Sequence, residues 1–356
     1  MYNEFFGLEQ MPFSISPDTS LYVNLPSHHE CMELMKFAIE SGEGFLKITG
    51  DVGTGKTILC RKILKYLKSK KQAVEIVPKK EVGIENILEP VSEQDATIEI
   101  NSTIQSWVNE FITTAEDSES LGSDKYVCVY IPNPTLTKRG LFRLLAKELN
   151  VEINSKTAVE VLIERVHEKI LELNSTHSSV VVLIDEAQSL PEDTLESLRL
   201  ITNFETETHK LVQVILMGQI ELNDLLEQHR FRQLRQRITF SYHLETLNLE
   251  QTKQYVLNRL MRCGYNSIDI FSPTQFKQIH KYSKGIPRMI NVLCHKCLLY
   301  AFSQNRKKMK NTDIKMAIYD DELFEQPSFQ SGFYLSICGL MVASIFLLAL
   351  WYNFLV

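Results

Sequence analysis

The chain reads Gly50-Asp51-Val52-Gly53-Thr54-Gly55-Lys56-Thr57 directly after a short apolar segment at residues 45–49. This stretch fits the pattern G-x-x-x-x-G-K-[ST] of a phosphate-binding loop. Residues 58–67 follow with apolar side chains at helical spacing, which predicts a helix. A strand, a glycine-rich loop and a helix N-terminus are the context that the motif requires. The stretch therefore predicts an α/β fold built on a parallel sheet.

The loop carries the chemistry that nucleotide phosphates need. Its glycines allow successive backbone N–H groups to turn toward phosphate oxygens, and the helix N-terminus adds partial positive charge. We expect Lys56 to reach the β- and γ-phosphates and the Thr57 hydroxyl to hold Mg²⁺. The predicted nucleotide-binding positions at this loop are Gly50, Asp51, Val52, Gly53, Thr54, Gly55, Lys56, Thr57 and Ile58.

A second motif lies at residues 180–186, where a continuous apolar run ends in Asp185 and Glu186. Unbroken apolarity is typical of a central parallel strand buried on both faces. Ligands bind at the carboxyl ends of such strands. We therefore expect Asp185 to hold Mg²⁺ and Glu186 to orient and polarise the attacking water. The alternative is that both carboxylates merely cap the following helix.

Two further polar features follow the next apolar segment, residues 211–217. Gln219 comes directly after this predicted strand and is a candidate to contact the γ-phosphate or the attacking water, provided that the strand order brings it there. Arg232, Arg235 and Arg237 then precede another predicted strand at 239–244. Taken alone, these arginines are equally compatible with a solvated basic helix face.

With these motifs in this order, the chain resembles the AAA+ ATPases, and in particular the bacterial general secretion pathway protein A family. The resemblance implies a P-loop parallel sheet with helices on both faces, a small all-α lid, and ATP hydrolysis with Mg²⁺. It also implies a role in assembling or remodelling an envelope secretion or type IV pilus machine. The segments that carry it are residues 6–8, 12–14, 50–57, 183–188, 218–222, 234–238 and 285–291.

The same resemblance implies two functional arginines. Arg237, with Arg235 as second choice, matches an arginine finger that reaches the nucleotide of a neighbouring subunit. Arg288 matches the sensor arginine that reaches bound nucleotide from the lid. Arginine suits both tasks because its planar, permanently charged fork can grip phosphate oxygens at two points. The implied partners are further copies of the chain, as a ring or a dimer, and an envelope assembly protein.

The domain organisation is predicted from composition and periodicity. Residues 1–244 form the nucleotide-binding core, interrupted by an acidic insertion at about 72–124. Residues 245–320 form the helical lid, and 321–332 a linker. Residues 333–356 contain no charged residue. This uncharged stretch is long enough for one helix to cross a hydrocarbon core about 30 Å thick. Because Lys and Arg lie upstream, we predict a C-terminal anchor in the inner membrane with the ATPase core on the cytoplasmic side.

Other interpretations remain open at this point. Lysines between positions 62 and 71 suggest a DNA-associated ATPase similar to the transposition regulators, although a net charge of −6 disfavours nucleic-acid binding. A nucleotide-dependent scaffold without turnover is a third possibility. Residues 5–8 and 12–15 form an aromatic, turn-rich leader before the first strand. Tyr22 and His28, which follow this leader, are candidates for contacts near the base. Cys294 and Cys297 have metal-ligand spacing, but their apolar helix favours core packing.

Overall fold

The computed structural model describes residues 2–14, 21–70 and 125–321, together with Phe324, except positions 133–134, 155, 177, 206–209, 266 and 268. The acidic insertion predicted at 72–124 lies outside these residues. Within them, the strands are β1 (Phe45–Gly50), β2 (Tyr126–Ile131), β3 (Ser179–Ile184), β4 (Val212–Gly218) and β5 (Phe240–Leu244). They form one parallel sheet in the order β2-β3-β4-β1-β5.

Helices alternate with the strands and then continue alone. The first helix is α1 (Tyr2–Phe6), at the start of the chain. Those of the sheet region are α2 (Pro26–Glu40), α3 (Lys56–Ser69), α4 (Lys138–Glu148), α5 (Val159–Ser175), α6 (Glu192–Thr202), α7 (Glu221–Glu227) and α8 (Arg232–Arg235). The lid helices are α9 (Leu249–Arg262), α10 (Pro273–Ser283), α11 (Pro287–Ser303) and α12 (Asn311–Tyr319). Asn248 and Ser272 begin α9 and α10 as capping boxes, each accepting a hydrogen bond from a backbone N–H three residues on.

Helices cover both faces of the sheet, which is why its central strands are continuously apolar. In β3, Val182 and Ile184 belong to one buried cluster, whereas Val181 and Leu183 belong to another. Successive side chains of a strand point to opposite faces, so one strand contributes to two cores. The predicted α/β fold with a parallel sheet and helices on both sides is confirmed.

The strand order decides where the functional motifs meet. β4 lies between β1 and β3 and pairs in parallel with both. The carboxyl ends of β1, β4 and β3 therefore share one edge of the sheet. These ends are followed by the glycine-rich loop, by Gln219 and by Asp185, respectively.

The lid is a helical unit that also includes the start of the chain. Tyr2, Phe6 and Phe13 are buried in the same cluster as the apolar side chains of α9 to α12. Buried Arg259 of α9 donates through Nε to the carbonyl of Pro12. The aromatic leader thus packs against the lid. The predicted domain boundaries, which assigned the leader to the core, remain a prediction.

Gly285 allows the lid to approach the segment that enters it from the sheet. Its φ is +73°, and a Cβ atom there would lie 2.0 Å from the carbonyl oxygen of Leu247. We expect Gly285→Ala to lower the unfolding free energy by about 3 kcal/mol, because backbone strain and a main-chain clash add. Thermal unfolding of purified protein measures this change.

Gly42→Ala is the matched control for that substitution. Gly42 has a φ of +75°, but a Cβ atom there would meet no heavy atom within 4 Å. The alanine at 42 therefore carries the backbone strain of the left-handed region without the clash, and we expect a loss of about 1 kcal/mol. Equal losses for the two variants would contradict the importance of the Leu247 contact.

The predicted C-terminal membrane anchor is not supported. Across the described residues, no helix combines the length and apolarity needed to cross a bilayer. The longest described helices, α5 and α11, have 17 residues each, fewer than the roughly 20 apolar residues that a bilayer core requires. Residues 333–356, to which the anchor was assigned, lie outside the described residues. The prediction of a single-pass inner-membrane location is corrected accordingly.

Cys294 and Cys297 are packing residues of the lid. Both are fully buried free cysteines in the cluster formed by α9 to α12. Burial raises the pKa of the Cys297 thiol well above its ordinary value. Neutral, buried thiols behave as small apolar side chains, so the interpretation of core packing is confirmed.

Candidate functional site

The glycine-rich loop joins β1 to α3 and folds around its own lysine. The Lys56 ammonium donates to the carbonyl oxygens of Gly50 at 2.7 Å and Asp51 at 2.8 Å. Gly53 and Gly55 have φ angles of +85° and +107°. Residues that carry a Cβ atom rarely adopt such positive φ angles. Burial lowers the pKa of Lys56, while the nearby carboxylates of Glu186 and Asp185 oppose that shift. The loop therefore holds a buried cation at the N-terminus of a helix.

A direct contact joins the two sequence motifs. The Thr57 hydroxyl donates to Asp185 Oδ2 at 2.7 Å, although the residues are 128 positions apart in the chain. Asp185 is 2% exposed. Burial raises its pKa, and the hydrogen bonds from Thr57 and from the Glu186 backbone N–H partly offset that shift. A hydroxyl and a buried carboxylate form a hard oxygen pair, which fits Mg²⁺.

Glu186 is fixed by two amide side chains. Gln188 Nε2 donates to Glu186 Oε2 at 2.6 Å, and Gln219 Nε2 donates to the same oxygen at 3.0 Å. The Glu186 backbone is left-handed, with a φ of +53°. Partial burial raises the pKa of Glu186, but the bonds from Gln219 and Gln188 and the Lys56 charge outweigh it and lower the pKa overall. The carboxylate is therefore held ionised in one orientation.

The lid reaches the glycine-rich loop through the start of α11. The backbone N–H of Arg288 donates to the carbonyl of Gly53 at 3.2 Å. A Cβ atom on Gly53 would lie only 2.6 Å from Arg288 Cβ. Because the two backbones are this close, residue 53 has to be glycine in this arrangement. The structure thus brings Arg288, whose side chain is exposed, to the edge of the loop.

His28 of α2 supports the loop from another direction. Its Nε2 lies 2.8 Å from the Thr54 carbonyl, and because a carbonyl only accepts, Nε2 carries the proton. A Cβ atom on Gly55 would lie 2.9 Å from the same nitrogen. Burial lowers the pKa of His28, so the ring is neutral near pH 7. Tyr22 packs edge-on against it at 6.1 Å; a contact of either residue with a base remains a prediction.

The arginines after β4 lie in different environments. Arg237 is half-buried, and its Nη1 donates to the carbonyl of Thr202 at the end of α6, at 3.2 Å. Arg235, the last residue of α8, is exposed. The structure therefore orients the Arg237 guanidinium within its own chain and leaves Arg235 facing solvent.

The sequence did not predict a role for Gln188, which was included only as the last residue of the segment 183–188. Its carboxamide bridges Glu186 and the backbone N–H of Gln219, which donates to Gln188 Oε1 at 3.0 Å. The available signal was a polar residue two positions after the carboxylate pair, close to the tip of β3. Its use depends on the adjacency of β3 and β4.

The amino-acid sequence is similar to those of known proteins. Residues 39–226 match the AAA domain family. The general secretion pathway protein A of Aeromonas hydrophila is 31% identical over 345 residues, covering 97% of this chain and 53% of that protein. The chain therefore spans about half the length of this curated relative.

Two solved structures share the fold. Cdc6p from Pyrobaculum aerophilum has a TM-score of 0.53 at 12% identity, covering 89% of this chain and 70% of that one. The Aeropyrum pernix ORC1 protein, solved in complex with DNA, has a TM-score of 0.51 at 13% identity, covering 87% and 69%. At such identities the likeness concerns the fold alone. Taken with the matched domain and the related secretion protein, it agrees with what the sequence motifs imply: the chain belongs to the AAA domain family of P-loop ATPases.

Proposed function

We propose that this chain is a Mg²⁺-dependent ATPase that works as a homo-oligomer on a protein of an envelope secretion or pilus machine. The observation that carries the ATPase proposal is the 2.7 Å contact between Thr57 and Asp185. This contact joins the glycine-rich loop to the acidic end of β3. Lys56 and Glu186 lie beside it, so the groups that we propose for phosphate binding and for water activation are close together.

Each side chain of the site has a distinct task in this proposal. Thr57 and Asp185 would hold Mg²⁺, which supplies charge neutralisation to the β- and γ-phosphate oxygens when bound. Lys56 contributes a fixed positive charge at the loop. Arg288 adds a second cation from the lid, where its backbone already contacts Gly53. Positive groups held in advance stabilise the charge that develops on the transferred phosphoryl group.

Glu186 is the proposed base that orients the attacking water. Both amide donors, Gln188 and Gln219, bond to Oε2. Oε1 is thus the oxygen that the described contacts leave available to accept a proton. Gln219, at the tip of the strand between β1 and β3, would contact the water or the γ-phosphate beside it. A carboxylate in hydrogen-bond reach of the water is what general-base assistance requires.

The oligomeric and cellular parts of the proposal rest on relatedness. The relative from Aeromonas hydrophila is named for the general secretion pathway, which supports an envelope assembly protein as the partner. A neighbouring copy would supply Arg237 as an arginine finger, with Arg235 as the alternative. The bond from Arg237 to the Thr202 carbonyl supports this choice, because it pre-orients the guanidinium while leaving other N–H groups to donate.

Phosphate release from ATP tests the ATPase proposal. We expect turnover with Mg²⁺ and its loss when EDTA removes the metal, with recovery on adding excess Mg²⁺. Lys56→Ala is expected to weaken ATP binding by about 10- to 100-fold, because charge-assisted bonds to the phosphates are lost. A fluorescent ATP analogue measures that binding directly.

Lys65→Ala is the control for the lysine substitution. Lys65 lies on the same helix, α3, but is exposed, and we expect parental binding and turnover. Parental ATP cleavage by Lys56→Ala, or turnover that persists in EDTA, would refute the proposed site. ATP binding without any phosphate release by the parent chain would point instead to a nucleotide-dependent scaffold.

The described contacts do not favour the alternative of a DNA-associated ATPase. On α3, the Lys62 ammonium lies 4.0 Å from the centre of the Tyr22 ring. Lys70 lies 3.5 Å from a Glu40 carboxylate oxygen. Two of the lysines on which that alternative depends are therefore engaged within the chain. A gel shift whose strength falls steeply with salt would revive it.

A further inference from the structure

The side chain of Gln188 connects the tips of two neighbouring strands. Its Nε2 donates to Glu186 Oε2 at 2.6 Å, at the end of β3. Its Oε1 accepts the backbone N–H of Gln219 at 3.0 Å, at the end of β4. Both functions of one carboxamide are therefore satisfied, and each bond goes to a different strand end.

Gly218 makes this bridge sterically possible. A Cβ atom at residue 218 would lie 3.0 Å from Gln188 Oε1 and 2.8 Å from Leu222 Cδ2. Any larger residue would push the carboxamide or the Leu222 side chain away. Because Gly218 has no unusual φ in this structure, the demand for glycine comes from the close approach of its neighbours. The fold thus leaves space beside β4 for the Gln188 amide.

We propose that Gln188 is a positioning residue that holds Glu186 and Gln219 in one fixed relation for ATP hydrolysis. The inference rests on the proposed function of Glu186. By bonding Oε2, Gln188 leaves Oε1 available to accept a proton, and by holding the Gln219 backbone it sets the place from which the Gln219 side chain reaches the same carboxylate. Gln188 acts through these two residues, to which both of its hydrogen bonds go.

An amide is the group that this position requires. The glutamine amide offers a donor to a carboxylate and an acceptor to a backbone N–H at once, on a side chain long enough to reach both strand ends. Glutamate at 188 would retain the acceptor but would place a second carboxylate against Glu186. Methionine would retain the approximate shape and lose both bonds. Both substitutions therefore remove the donor at nearly constant size, and they differ in whether the acceptor for the Gln219 backbone N–H remains.

Steady-state ATPase kinetics of Gln188→Met and Gln188→Glu test the proposal. We expect kcat to fall by about 10- to 100-fold in Gln188→Met, the range for losing a hydrogen bond to a charged group, and further in Gln188→Glu. The KM for ATP should stay within about threefold of the parent, because the loss concerns the attacking water and not nucleotide binding. Placed on a Glu186→Gln background, Gln188→Met should have a much smaller effect, because the carboxylate that Gln188 orients has already been replaced.

Gln254→Met is the matched control, since Gln254 is exposed on α9 and should show parental kinetics. Thermal unfolding shows whether each variant is folded. If Gln188→Met does not fold, the kinetics of Gln188→Glu, whose side chain has nearly the shape of glutamine, test the proposal. Parental kcat in the folded variants, equal losses on both backgrounds, or a rise in KM as large as the loss in kcat would overturn the positioning role. A parent chain without ATPase activity would overturn the proposed function itself, and the positioning role with it.

Discussion

Replacing Glu186 by glutamine is expected to lower kcat for ATP hydrolysis by about 1,000-fold, within the range that a positioned general base contributes. The amide keeps the size of the side chain but cannot accept the proton of the attacking water. ATP binding should persist, because Lys56, Thr57 and the loop backbone are untouched. The measurement is phosphate release at saturating ATP, combined with titration of a fluorescent ATP analogue.

The control for this experiment is Glu164→Gln. Glu164 is an exposed glutamate in the middle of α5, so the same chemical change there should leave turnover at the parental rate. A Glu186→Gln variant that still hydrolyses ATP at close to the parental rate would remove Glu186 from the reaction. Loss of ATP binding together with turnover would show a role in holding the site instead of activating water.

Arg237→Ala is expected to lower the activity of the assembled protein by about 1,000-fold, the lower end of what an arginine finger supplies. The physical reason is the loss of a permanent cation at the phosphoryl group of the neighbouring subunit. Because the finger acts on the neighbour, parental activity per subunit should rise steeply with protein concentration, and that of the variant should not. Phosphate release measured over a concentration series reports both quantities.

Mixing two inactive variants tests whether the arginine works between subunits. An Arg237→Ala subunit keeps its own Glu186, and a Glu186→Gln subunit keeps its own Arg237, so mixed assemblies should recover part of the activity. Arg235→Ala, the matched arginine substitution, should retain most of the parental activity. The reverse pattern would assign the finger to Arg235. Full activity in both arginine variants, or no recovery on mixing, would refute the mechanism.

The elements of the sheet were largely predictable because they depend on local apolar patterns. The strand predicted at 211–217 was found as β4 (Val212–Gly218), and the helix predicted at 58–67 lies within α3 (Lys56–Ser69). Continuous apolar runs bounded by turn residues mark buried strands whatever their neighbours are. The short helix α1 (Tyr2–Phe6) was not predicted, because its aromatic residues are explained by packing against the lid and not by any helical period.

The relations between elements were less accessible to sequence reasoning. The position of Gln219 beside Glu186 depends on β4 lying between β1 and β3, and nothing in a single sequence determines strand order. The bond from Arg237 to the Thr202 carbonyl and the bridge made by Gln188 depend on the same tertiary arrangement. The motifs indicated which residues carry the chemistry; the folded chain was needed to see which of them share hydrogen bonds.

Two hydrogen bonds to the glycine-rich loop link it to other parts of the chain. The lid touches Gly53 through the backbone of Arg288, and His28 touches Thr54 from α2. α2 is also connected to the lid, because Leu21, Val23 and Leu25 directly before it are buried in the same cluster as the lid helices. A movement of the lid would therefore act on the glycine-rich loop at two adjacent points, Gly53 through Arg288 and Thr54 through α2.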